Sequence, residues 1–74
     1  MDTEKLEYEI ERLDHEINLL KANIRKEKSA FYRNDENTRA IIKEALNNLR
    51  YNLTAFELIK DDLSKLLEIE KMIN

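Results

Sequence analysis

The sequence predicts an all-α fold, an antiparallel helical hairpin with coiled-coil-like packing. Its 74 residues include neither Gly nor Pro, which tight turns and sharp helix ends usually require. Charged residues make up 39% and apolar residues 42%, a balance typical of long helices. The apolar residues also recur at a fixed spacing, and the net charge is only −3, so we reject disorder. We treat residues 1–74 as one helical domain.

The first helix is expected over about residues 3–31. Its apolar residues are separated alternately by four and three positions, which is a heptad repeat. Such a narrow stripe is typical of a coiled-coil seam, here interpreted as an oligomer seam. Glu27 and Phe31 continue the spacing beyond it. The seam consists of Leu6, Ile10, Leu13, Ile17, Leu20 and Ile24.

A turn is expected over about residues 32–37, where Asn34, Asp35 and Asn37 tolerate turn conformations and can cap a helix. The second helix follows over about residues 38–73. Its apolar stripe is predicted to shift beyond Phe56 and to gain a second apolar face. The stripe consists of Ile42, Leu46, Leu49, Leu53 and Phe56, then Ile59, Leu63, Leu66 and Ile73; the second face consists of Ala55, Leu58, Ile69 and Met72.

An alternative three-helix arrangement has a hinge near Asn52. Thr54 followed by Glu57 matches a capping box, which would begin a third helix after a break at residues 52–54. Against this, the alternating spacing from Ile42 to Phe56 passes through the segment without a slip. We therefore favour one continuous second helix.

A lone hairpin would leave the second apolar face uncovered, so we expect a homodimer that forms a four-helix bundle. Its orientation stays open. Ile at a with Leu at d favours parallel helices. In an antiparallel dimer, Glu7 would instead lie near Lys28 of the other copy and Asp14 near Lys21, which favours that orientation weakly.

Residues suited to catalysis are sparse. His15 is the single histidine and falls on the outer side of the first helix, outside any HExxH motif. Ser29 and Ser64 lack the surroundings of an activated nucleophile. Without Gly there is no phosphate-binding loop of the usual kind. We expect neither an enzyme nor a bound cofactor or metal.

A basic cluster surrounds the predicted turn. Its simplest interpretation is a solvated helix end, since Asp35 and Glu36 lie within it. It could also bind phosphates and stack a base, or dock on an acidic protein surface. The cluster consists of Arg25, Lys26, Lys28, Arg33, Arg39 and Lys43, with Phe31 and Tyr32 among them.

The expected function is a protein-interaction module, an adaptor, inhibitor, chaperone or small scaffold that recognises a partner through a helix face. The alternative is a small nucleic-acid-binding regulator that uses the basic cluster around the turn, from Arg25 to Lys43. No membrane span or signal peptide is apparent, so a cytoplasmic protein is expected. The sequence is rich in Lys, Asn, Ile and Glu, which is typical of an AT-rich genome, so a small bacterial or phage protein is expected. The expected partner-binding residues are Phe31, Tyr32, Arg33, Arg39, Leu66, Ile69 and Met72.

Overall fold

The computed structural model describes residues 3–73 as two helices, α1 (Thr3–Arg33) and α2 (Glu36–Ile73). Only Asn34 and Asp35 separate them, so the helices run antiparallel, and the described residues contain no strand. The Cα atoms fill a rod with extents of 57 × 14 × 12 Å. The predicted all-α hairpin is confirmed.

The turn is shorter than the six residues predicted, because α1 continues to Arg33 and α2 begins at Glu36. No described residue has a positive φ, so the reversal needs no Gly. Asp35 caps α2: its Oδ1 accepts a hydrogen bond of 2.8 Å from the backbone N–H of Thr38. That bond stabilises the carboxylate and lowers the pKa of Asp35.

Side chains also satisfy the last carbonyl groups of α1. The Asn34 side-chain amide donates to the carbonyl of Ala30 at 2.6 Å. Arg39, from the first turns of α2, donates through Nε to the carbonyl of Phe31 at 3.0 Å. These groups have no partner within the helix, and a C-terminal Gly commonly arranges their satisfaction. Here the polar side chains of Asn34 and Arg39 take that role.

The core is one layer of side chains between the two helices. The α1 seam faces α2, and four of its six residues are buried while Ile10 and Leu20 are half-buried. Among the described residues none is less than 2% exposed, so the core is thin. A single thin core in so short a chain supplies little stability on its own. The buried residues are Leu6, Leu13, Ile17 and Ile24 from α1 and Ile42 and Leu46 from α2.

The predicted shift of the α2 stripe beyond Phe56 does not occur. Lys60 takes the inward position instead, and its Nζ lies 2.5 Å from Oδ1 of Asp14. The aliphatic stem of a lysine can cover apolar surface while its charged end stays wet. The inward stripe then continues with half-buried Leu63 and Leu67, while Ile59 is exposed. The hydrogen bond and charge of Lys60 lower the pKa of Asp14.

The acidic residues assigned to an antiparallel copy have partners within the chain. Asp14 pairs with Lys60, and Oε1 of Glu7 lies 3.6 Å from Nζ of Lys71. Both pairs join α1 to α2 across the hairpin, so they support its antiparallel register. Each is exposed, so each contributes little to stability.

The hinge near Asn52 is absent, and α2 runs unbroken through residues 52–54. Thr54 Oγ1 donates to the carbonyl of Arg50 at 3.0 Å, as a threonine does inside a helix. In a capping box the Thr54 oxygen would instead accept from the backbone N–H of Glu57. The described residues therefore form two helices, not three.

Candidate functional site

Charge is distributed unevenly along the rod. Residues 21–50 form the end that carries the turn, here called the tip, with eight Lys and Arg against four Asp and Glu, a net charge of +4. The other described residues, 3–20 and 51–73, form the open end with five against eleven, a net charge of −6. The two ends would therefore attract opposite kinds of surface.

A shallow groove of about 230 Å³ lies on one face of the tip, here called the tip groove. Lys43 and Arg50 are seven residues apart, so α2 presents both on the same face. Buried Leu46 lies between them and is apolar. The groove is smaller than the cavities that usually enclose small ligands, so it is better suited to a contact with another surface. It is lined by Lys28, Phe31, Tyr32, Lys43, Leu46 and Arg50.

The three cations of the tip groove are uncompensated. None of the side chains of Lys28, Lys43 and Arg50 makes an ion pair or hydrogen bond with another residue of 3–73. No carboxylate lines the groove. A second groove, of about 270 Å³, is lined by Asp14 and Lys60 among other residues. There, by contrast, the ion pair between Asp14 and Lys60 neutralises the charges of both side chains. The tip groove is therefore open to an external anion.

Two aromatic rings stand beside these cations. Phe31 and Tyr32 meet edge to face, with ring centroids 5.4 Å apart and planes at 88°. The guanidinium carbon of Arg39 lies 5.6 Å from the Phe31 centroid, within cation–π range. Phe31 is half-buried, whereas Tyr32 is 76% exposed. Tyr32 thus offers an exposed aromatic ring that rests edge to face against its neighbour.

Of the tip residues predicted to bind a partner, the structure brings only Phe31 and Tyr32 into the groove. Arg33 donates through Nε to the carbonyl of Ser29 at 3.3 Å, and Arg39 donates to that of Phe31, so both are bonded to the backbone of α1. Arg50 lies beyond the predicted basic cluster and was missed. Its seven-residue spacing from Lys43 is the sequence signal that could have identified it.

The predicted C-terminal binding residues are accessible but do not share one face. Leu66 is half-buried, and Ile69 and Met72 are 52% and 84% exposed. Helix geometry places Met72 about 120° around α2 from Leu66. Leu66 and Ile69 can therefore contact one partner helix, while Met72 faces elsewhere.

Other kinds of site find little support among residues 3–73. His15 is exposed on α1, and no three His, Cys, Asp or Glu side chains in this range are placed to hold a metal ion. Neither described helix has a segment apolar enough to cross a membrane. No protein-family model, curated protein or solved structure matches the chain.

Proposed function

We propose that the chain is a non-enzymatic protein-interaction module of the cytoplasm that grips an acidic partner surface with its tip groove. The observation that carries the proposal is three unpaired cations around an exposed tyrosine, at the positive end of an otherwise acidic rod. An adaptor, inhibitor, chaperone or small scaffold would act through such a contact.

The groove combines the two contributions that protein interfaces use. Lys28, Lys43 and Arg50 would meet carboxylates of the partner, which speeds encounter and selects against basic surfaces. Tyr32 would bury its ring against apolar atoms of the partner, and Tyr and Arg are the residues enriched at interface hot spots. Because Leu46 and Phe31 are held in the hairpin core, little ordering is needed on binding.

Nucleic acid is the second candidate, since unpaired cations and an exposed ring also suit phosphates and a stacked base. The charge distribution favours protein. A nucleic-acid strand carries negative charge along its whole length, and beyond the tip it would meet an open end of net charge −6. An acidic protein patch is local, so it can contact the tip groove without following the length of the rod.

The test is capture of proteins from lysate by the immobilised chain, compared with a charge-reversed variant of the tip groove. Lys43→Glu with Arg50→Glu should lose the partner. Lys5→Glu with Lys26→Glu changes the net charge equally at residues that do not line the groove, so it should retain the partner. Capture that survives in the groove variant would show that the wrong surface has been chosen.

A parallel measurement separates the two candidates. A fluorescent single-stranded oligonucleotide is titrated with the chain at low and high salt. The protein proposal predicts no appreciable binding. Affinity that is lost in the groove variant and falls steeply with salt would favour the nucleic-acid candidate instead.

A homodimer that forms a four-helix bundle remains part of the proposal. Its support is the thin core and the apolar side chains that α1 leaves uncovered on α2. Burying them against a second copy would stabilise so short a chain.

A further inference from the structure

A second heptad stripe runs along the whole of α2, one residue before the stripe that faces α1. Its ten members are separated alternately by four and three positions, from the first turns of α2 to its last. None of them is buried by α1: seven are exposed and three are half-buried. The second stripe consists of Ile41, Ala45, Asn48, Asn52, Ala55, Ile59, Asp62, Leu66, Ile69 and Ile73.

We infer that the occupant of the second stripe is the α2 helix of a second copy, running antiparallel. An α2–α2 seam would join two hairpins into one four-helix bundle. The spacing of the second stripe is the same when it is read from either end. In an antiparallel pair the first member in one copy therefore lies opposite the last member in the other, and every member has a partner. The layers are Ile41 with Ile73, Ala45 with Ile69, Asn48 with Leu66, Asn52 with Asp62, and Ala55 with Ile59.

The composition of these layers supports the antiparallel order. Ala45 and Ala55 each meet an isoleucine, so small side chains lie opposite large ones and the space between the helices is filled evenly. Asn52 meets Asp62, where an amide N–H can donate to a carboxylate. A polar layer of this kind fixes register in coiled coils.

The layer of Asn48 and Leu66 fits less well, because it sets a polar side chain against an apolar one, but the surroundings of Asn48 accommodate it. Asn48 would face Leu66 of the other copy. Asn48 also lines an open groove of about 390 Å³ together with Asn23 and Asn52. Its amide can therefore turn toward polar neighbours and water, so it need not be buried unsatisfied.

A parallel pairing of the same stripe would be poorer. In register, Asp62 would face Asp62 and two carboxylates would repel each other. Ala55 would face Ala55, which leaves the centre of the seam underfilled. Both problems disappear when one helix is reversed.

The charge of the rod gives a second, independent argument. The tip of net charge +4 and the open end of net charge −6 lie at opposite ends of each hairpin. Antiparallel association places each tip beside the open end of the other copy, twice over. Parallel association would align like charges at both ends, which would lower both the rate of association and the affinity.

Self-association through the second stripe leaves the tip groove free. Lys43 and Arg50 lie on the side of α2 roughly opposite the second stripe. The dimer would carry its two tip grooves at opposite ends, so it could bridge two partner molecules. The inference rests on the homodimer of the proposed function, but the seam and the tip groove use different residues, so either one can fail without the other.

The test uses disulfide cross-linking, which is clean because the chain contains no Cys. A chain carrying Ala55→Cys is mixed with a chain carrying Ile59→Cys, oxidised under mild conditions and analysed by mass spectrometry. The two chains differ in mass, so the mixed disulfide is distinguished from either symmetric one. The proposal predicts the mixed disulfide as the main product.

Two other outcomes would overturn it. Symmetric disulfides of each chain would indicate a parallel seam, and monomers alone would show that no copy covers the second stripe. Ala45→Cys with Ile69→Cys should also give the mixed product, which guards against a local defect in one variant. Ala40→Cys, exposed off the second stripe, is the control and should not link to Ala55→Cys above background. Circular dichroism of each variant confirms that it is helical.

Discussion

The intramolecular core can be tested with two leucines of α1 that differ mainly in burial. Leu13 is 4% exposed within the seam, whereas Leu19 is 47% exposed on the outer side of the helix. Replacing either by Ala removes the same three carbon atoms and changes helix propensity equally. At roughly 0.8 kcal/mol per buried carbon, full burial makes these atoms worth about 2.4 kcal/mol.

Leu13→Ala should therefore cost about 3 kcal/mol once the cavity it leaves is included. Leu19→Ala should cost about 1 kcal/mol or less, since solvent already covers half of the side chain and fills the gap. A helical chain of this size has only a few kcal/mol of stability, so Leu13→Ala should lower the helical content even without denaturant. The assay is urea unfolding followed by circular dichroism at 222 nm. Equal unfolding midpoints for the two variants would refute the assignment of the α1 seam to the core.

Three further predictions concern α2. Asp35→Ala should lower the melting temperature at neutral pH by several degrees, and Asp35→Asn by less, because Asn also caps. The folded-state pKa of Asp35 is lowered by the Thr38 N–H, so its charge stabilises the fold above about pH 4 and that contribution is lost as the pH falls through the lowered pKa. Melts of the wild type and Asp35→Asn should therefore converge in acid, and an unchanged gap would contradict the cap. Thr54→Ala should leave the melting temperature unchanged or raise it, because Ala is the better residue inside a helix. A drop of several degrees would instead indicate that Thr54 caps a helix at a hinge. Lys60→Met should keep the melting temperature within a few degrees, since the apolar stem matters more than the exposed pair, whereas Lys60→Asp should lower it clearly through repulsion of Asp14.

The heptad spacing predicted α1 well because every inward position from Leu6 to Ile24 is apolar and carries the period directly. The turn is shorter than the sequence predicts. Its length depends on whether side chains such as Asn34 can satisfy the last carbonyls of α1, and that is a matter of three-dimensional reach. Helix ends are accordingly the least predictable part of the fold.

Lys60 shows why the sequence predicts the wrong inward stripe for the second half of α2. Hydropathy places a lysine outside, yet its partner Asp14 lies 46 residues away in the sequence. Only the register between the two helices brings them together. The same register sets the tip groove, where Lys28 of α1 meets Lys43 and Arg50 of α2. The sequence predicts the aromatic pair of the tip, but it does not predict which cations converge on it.

The central claim is that α2 has two heptad stripes, one covered by α1 and the other covered by a second copy. The most direct measurement is the mass in solution of the unmodified chain, by size-exclusion chromatography with light scattering at a low and a high concentration. The account predicts twice the chain mass of 8.9 kDa at both concentrations. A mass of 8.9 kDa at both would contradict it and would leave the second stripe open to a different protein.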